Sequence, residues 1–314
     1  MLPKEHPSWF ILDSSKIEDY IKCPRYYFYR NILGWRKEAE SKDLIFGEAW
    51  HLAQETLLKK GYNQDAINEG YILAEACYRD AFPNPETDIE RIPKIPAAIY
   101  AALPKYIEQF KEDREEVLYT EITGSVPIAK DKLLRFKMDS VLKNEEGKYL
   151  SRDHKTSSRN SDAWKDGFKM KFQFGTYQHV LHCLYKDVWG IEVNGAVFTK
   201  SKGVEYIRVP VRRTVEMMEV WLHSANYWYD RIMNDIDQLA IIGNRVAEDE
   251  KVMECFIQHT SNCTIYGTCM FMDFCLCWPN PLAQDLSIPP EGFREEYWDP
   301  RTLEEKSSNV MHLE

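Results

Sequence analysis

KLLRFKMDSVLK (residues 132–143) and KYLSRDHKT (residues 148–156) decide how this chain is read. Each reads as a strand, and Asn144-Glu145-Glu146-Gly147 between them reads as a turn, so the two should lie antiparallel and adjacent. Side chains two apart on a strand leave the same face. Asp153 and Lys155 therefore project together, and Asp139 on the preceding strand can come alongside Asp153. Phosphodiester hydrolysis uses such a set. Hard oxygen ligands hold Mg²⁺ or Mn²⁺, the ion neutralises phosphate charge and lowers the pKa of a bound water, and a lysine orients or deprotonates that water or stabilises developing charge. An Asp-x-Lys strand taken alone usually marks a solvated face, so the rest of the chain has to carry the reading.

Working outward, EVLYTEITGSVP (116–127) alternates like a third strand, which makes a meander. Upstream the pattern is helical: a capping box at Ser15-Lys16-Ile17-Glu18 opens a helix to about Lys22, Pro24 opens another turn, and helices are expected over 44–60, 64–82 and 95–113. Downstream, a long helical stretch over 161–189 precedes strands near 193–200 and 204–211 and a helix from Val215 to about Leu239. The residues from about Pro300 are polar and expected to fray. The expected fold class is α/β, a central mixed sheet flanked by helices. One domain is expected over 1–290, with a helical part (14–115), a sheet core (116–212), a helical and Cys-rich cap (213–290) and a tail (291–314).

The chain has 314 residues, 44% hydrophobic, so a folded protein is expected, and its net charge of −10 argues against coating nucleic acid through bulk charge. An acidic excess suits a site for divalent cations. No apolar run approaches the roughly 18 residues of a membrane span, and MLPKEHPSWF lacks the pattern of a secretory signal. An intracellular, cytoplasmic protein without a membrane partner is expected, and there eight cysteines are better read as metal or cluster ligands or packed thiols than as a disulfide framework.

Further candidates surround the two strands. FGEAWH (46–51) opens a helix, with Gly47 allowing close backbone approach and His51 able to reach a metal or serve as a structural histidine. In QFGTY (173–177), Gln173 and Tyr177 share a helix face. Cys263, Cys269 and Cys275 are spaced by five intervening residues, with Cys23 far upstream and Cys277 close behind. Four such thiolates can hold a [4Fe–4S] cluster, zinc, or nothing, packing as small hydrophobes; Cys77, Cys183 and Cys255 are read as plain thiols. Local positive patches are Lys200, Lys202, Arg208, Arg212 and Arg213, then Lys165, Lys169 and Lys171, then Arg25, Arg30, Arg36 and Lys37. Each can contact phosphate or form an ordinary surface. Tyr26, Tyr27 and Tyr29 can stack bases, though core packing explains most of that run. His179 and His182 are read as structural.

In chain order, CPRYYFYRNILG, FGEAWH, MDSV, DHKTS, QFGTY and the terminal cysteines together resemble the RecB-like branch of the PD-(D/E)xK nucleases, which includes phage exonucleases and the nuclease of CRISPR adaptation. The resemblance covers about 14–280 and implies a restriction-endonuclease-like core. It implies metal binding by His51, Asp139, Asp153 and the His154 carbonyl, catalysis by Lys155, and a supporting, DNA-meeting role for Gln173 and Tyr177. Glu121 is either a carboxylate behind the metal ligands or an exposed strand residue. The resemblance also implies a [4Fe–4S] clasp of Cys23, Cys263, Cys269 and Cys275, zinc being the alternative and Cys277 a substitute for Cys275, because the spacing departs from the shorter C-x-x-C step of many members. The expected function is a Mg²⁺- or Mn²⁺-dependent DNA nuclease, an exonuclease of recombination, repair or phage DNA processing. The alternatives are a non-catalytic nucleic-acid-binding subunit that keeps the fold and, less well supported, an iron–sulfur redox protein. No GxxxxGK[ST] loop is present, so unwinding would need a separate helicase or recombination partner.

Overall fold

A computed structural model describes residues 3–243, 252–265, 267–305, 307 and 309–313. The helical N-terminal part comprises α1 (Ser14–Lys22), α2 (Pro24–Tyr27), the short strand β1 (Trp35–Lys37), α3 (Lys42–Lys60), α4 (Gln64–Ala81) and α5 (Pro96–Gln109). The meander follows as β2 (Glu116–Ala129), β3 (Lys132–Lys143) and β4 (Tyr149–Ser157), then α6 (Asp162–Lys169), α7 (Phe172–Leu184), β5 (Val188–Thr199), β6 (Gly203–Val211) and α8 (Val215–Gly243). Last come α9 (Met272–Cys277), β7 (Phe293–Glu295), α10 (Thr302–Glu305) and β8 (Asn309–His312).

The main sheet is mixed, in the order β6-β5-β4-β3-β2-β8. The meander pairs antiparallel, and β5 returns parallel to β4 after the α6–α7 crossover. One apolar core joins α1, α7 and α8 to the sheet; a second joins α3, α4 and α5 to β5 and β6. The α/β class with helices flanking a mixed sheet is as the sequence implies. Among the described residues no helix is long and apolar enough to cross a membrane.

Three local expectations are corrected, and the core reading of the tyrosine run holds. The cap of α1 is Asp13, whose carboxylate accepts from Lys16 N at 2.8 Å. Ser15 and Glu18 do not close a box, and Glu18 instead accepts from Gln173 N at 3.1 Å. The stretch 161–189 is two helices, broken at Met170–Lys171, where Lys171 is extended; the Arg213 guanidinium reaches the Lys171 carbonyl at the break, 2.7 Å away. Tyr26, Tyr27 and Tyr29 are buried and pack against Phe256 and Phe271 rather than offering faces to bases. The end of the chain is not a frayed tail: Asn309–His312 adds a parallel edge strand to β2.

Candidate active site

The site forms where β3 and β4 part. Backbone pairing runs from Lys143↔Tyr149 to Val141↔Ser151 and stops. Beyond it, side chains take over the bonds between the strands: Ser140 Oγ donates to the Arg152 carbonyl at 2.9 Å, and His154 N donates to Asp139 Oδ2 at 2.7 Å. The opened ladder leaves a chamber of about 290 Å³ lined by His51, Asp139, Asp153, Lys155, Gln173 and Tyr177, among others.

His51, on α3, sets Nδ1 3.3 Å from Asp139 Oδ2. Glu121 joins them, so that one ligand atom from each of His51, Glu121 and Asp139 lies within 4.8 Å of the others. Glu121 falls between the pairs Thr120↔Ser140 and Ile122↔Met138, facing Asp139 across the ladder. Its φ of +47° is the left-handed region, which a non-glycine residue occupies only under constraint. It is partly buried and ion-paired with Lys137, not an exposed strand residue. The Asp153 side chain is 1% exposed; its Oδ2 lies 2.7 Å from Lys155 Nζ, and its Oδ1 finds no hydrogen-bond partner among the described residues. On α7, Gln173 Nε2 donates to the Tyr177 hydroxyl at 2.7 Å.

The charges are strongly coupled. Burial opposes ionisation of Asp139, yet the His51 ring, with Lys155 nearby, holds its carboxyl well below the usual range. Burial likewise works against a charged His51, and Asp139 overrides it and raises the imidazole. Asp153 is raised by its burial, more than Lys155 lowers it. Glu121 is raised by burial and then by the Asp139 charge. Lys155 is lowered by burial but raised further by Asp153 and Asp139, so it is an ammonium. Burial pushes the His154 ring down to about 3, leaving it neutral beside Asn194; its side chain is a structural group, and only its carbonyl is in question as a ligand. His51, Glu121 and Asp139 form a donor set for a hard divalent cation, and Asp153, outside that set of mutually close atoms, lines the same chamber with an unpartnered oxygen.

Residues 14–276 match the family model of the PD-(D/E)XK nuclease superfamily. This chain belongs to that superfamily. No curated protein matches the sequence. Among solved structures, a Eubacterium rectale protein provisionally named an exonuclease is 14% identical, covers 77% of this chain and 84% of its own, and superposes with a TM-score of 0.39. The protein SSO0001 is 11% identical, with 68% and 81% covered and a TM-score of 0.25.

The helix motifs of this PD-(D/E)XK nuclease have separable explanations. A Cβ on Gly175 would come within 2.2 Å of Trp221, so the glycine of QFGTY lets α8 press onto α7. Gly47 of FGEAWH does not serve close backbone approach: an added Cβ would meet only Thr156 Oγ1, at an ordinary 3.8 Å.

Cys23, Cys263, Cys269 and Cys275 line a second cavity, of about 270 Å³, while Cys277 is exposed and outside it. All four thiols are free. Burial, with the other three sulfurs contributing, pushes the Cys275 thiol up to about 11. Of the basic patches, Arg25, Arg208 and Arg213 are structural, which corrects both readings left open for them, phosphate contact and ordinary surface. Arg25 donates to Phe256 O at 3.0 Å, Arg208 pairs with Asp113, and Arg213 holds the break between α6 and α7. Lys37, Lys169, Lys200, Lys202 and Arg212 are exposed.

Proposed function

We propose that this chain is a divalent-metal-dependent deoxyribonuclease that digests DNA from strand ends. The observation that carries the reading is the Asp153 carboxylate, buried with an unpartnered oxygen beside Lys155 and in one chamber with His51 and Asp139. His51, Glu121, Asp139, Asp153 and the His154 carbonyl would hold Mg²⁺ or Mn²⁺, the oxygen-rich donor set those ions take. The ion, when bound, supplies charge neutralisation at the phosphate and a bound water of lowered pKa. Lys155, an ammonium against Asp153, donates hydrogen bonds to the attacking water or to the phosphate oxygen where charge builds. Gln173 and Tyr177 brace each other at the chamber wall and position the substrate. The exposed lysines and Arg212 supply phosphate contacts that an acidic protein must gather locally. A half-open chamber of about 290 Å³ suits one nucleotide at a strand end better than a continuous duplex, which supports exonuclease action.

The test is digestion of labelled linear DNA with Mn²⁺ by wild type and Lys155→Ala. The variant should lose at least about 10²-fold in kcat, the scale of one transition-state-stabilising donor. Equal digestion removes Lys155 from the mechanism, and DNA binding without cleavage by wild type favours a binding subunit that keeps the fold.

The cysteine cavity supports a [4Fe–4S] clasp on Cys23, Cys263, Cys269 and Cys275, joining the start of the chain to its C-terminal part. Zinc is the competing occupant of the same four thiols. Anaerobic protein should be brown, with about four iron atoms per chain; colourless protein with bound zinc contradicts the cluster.

A further inference from the structure

The match to the superfamily stops at residue 276, but the wall of the chamber does not. Trp298, Pro300 and Leu303 line the same chamber as Asp139, Asp153 and Lys155. The segment that carries them is fastened on both sides, by β7 pairing with β1 and by β8 pairing with β2. Between those strands, Glu304 is ion-paired with Arg135, and the Ser307 hydroxyl donates to the carbonyl of Glu121. Gly124 makes room for this attachment, since a Cβ there would sit 1.6 Å from the Met311 carbonyl oxygen. The wall is thus fixed to the strand that carries Glu121.

Trp298 is held by one edge. Its Nε1 donates to Asp13 Oδ2 at 2.7 Å, while the other oxygen of Asp13 caps α1. The indole is only partly buried and borders the chamber. A ring fixed at its polar edge and partly exposed at a half-open site of nucleotide size is what single-strand binders present to bases, and stacking on it tolerates any sequence because every base has a π face.

We infer that Trp298 is the platform on which the terminal base stacks, and that the C-terminal segment thereby selects single-stranded DNA ends. The inference rests on the nuclease reading above and deepens it. The last base pair of a blunt end has one face free, but a chamber of about 290 Å³ takes one nucleotide without its paired partner, so the strands have to separate before the last base enters and meets the indole.

The test uses the full chain, with single-stranded oligonucleotides ending in 2-aminopurine or in an abasic residue. In EDTA, wild type should quench the 2-aminopurine and Trp298→Leu should not. With Mn²⁺, Trp298→Leu should raise KM for single strands about tenfold, within the range of one base–aromatic stack, and leave kcat within about twofold. The abasic end should raise KM for wild type but not for the variant. Trp298→Phe keeps a ring without the bond to Asp13 and should retain most of the base preference. If Phe falls as far as Leu, Trp298 is only a strut for Asp13 and the proposal is overturned; equal quenching and equal base preference in wild type and Trp298→Leu overturn it too. Quenching lost in Trp298→Leu, with no cleavage by wild type, supports the platform and counts against the nuclease reading instead.

Discussion

Arg152 and Asp153 are neighbours on β4, each 1% exposed, and they are opposites in how their charge is met. Arg152 is satisfied on every side: Nε lies 2.6 Å from Glu192, Nη2 2.8 Å from Glu115 and Nη1 3.2 Å from Asp113. Asp153 has one cationic neighbour and an oxygen with no hydrogen-bond partner among the described residues. Burying a charge is costly unless it is paired and hydrogen-bonded. A saturated buried charge holds the fold together, and an unsaturated carboxylate lining a chamber leaves an oxygen free for a cation from outside. Sequence shows two adjacent charged letters; only the account of their partners tells them apart.

The comparison can be broken by neutralising each in turn. Arg152→Met leaves Glu115 without a cation and Asp113 and Glu192 with Arg208 alone, and should destabilise the protein by about 3 kcal/mol, the scale of breaking a buried pair from one side, read as a fall in the denaturation midpoint. Whatever remains folded should cleave DNA near the wild-type rate. Asp153→Asn should do the reverse: activity falls by about 10³-fold or more, on the scale of a catalytic group acting within a unit, while the denaturation midpoint holds or rises because a desolvated charge is gone. If Asp153→Asn destabilises as much as Arg152→Met, Asp153 is a structural group.

A smaller effect sharpens the same contrast through pH. Asp139 raises the folded-state pKa of His51. The stability drawn from that pair is therefore complete below the ordinary histidine value of about 6.5 and is lost as pH rises through the raised folded value. A metal needs the neutral ring, so Mn²⁺ affinity should climb across the same window as stability falls. Calorimetric titration of Mn²⁺ from pH 6 to 8.5 should show proton release that His51→Ala removes; unchanged proton release in the variant separates His51 from the metal.

The meander was legible in the sequence because alternation has a period of two, and that same period put Asp153 and Lys155 on one face. That Asp139 and Asp153 line one chamber was legible because a short turn fixes register. Glu121 could only be held loosely, since its place depends on a left-handed backbone and a register that no local pattern announces. The edge strand Asn309–His312 is short and polar and is defined by its partner β2 and by the space at Gly124, so it read as a frayed end. Arg208 and Arg213 read as phosphate contacts because their partners, Asp113 and the Lys171 carbonyl, are distant in sequence. Charge is visible in a string of letters; its neutralisation is a property of the fold.

Diffraction from Mn²⁺-soaked crystals at the manganese absorption edge tests the central claim most directly. The account predicts an anomalous peak about 2.1–2.2 Å from an oxygen of Asp153 and from one of Asp139, within the usual range for a hard divalent cation bound to oxygen. At saturating Mn²⁺, an Asp153 carboxylate still met only by Lys155, with no peak beside it, would contradict the account.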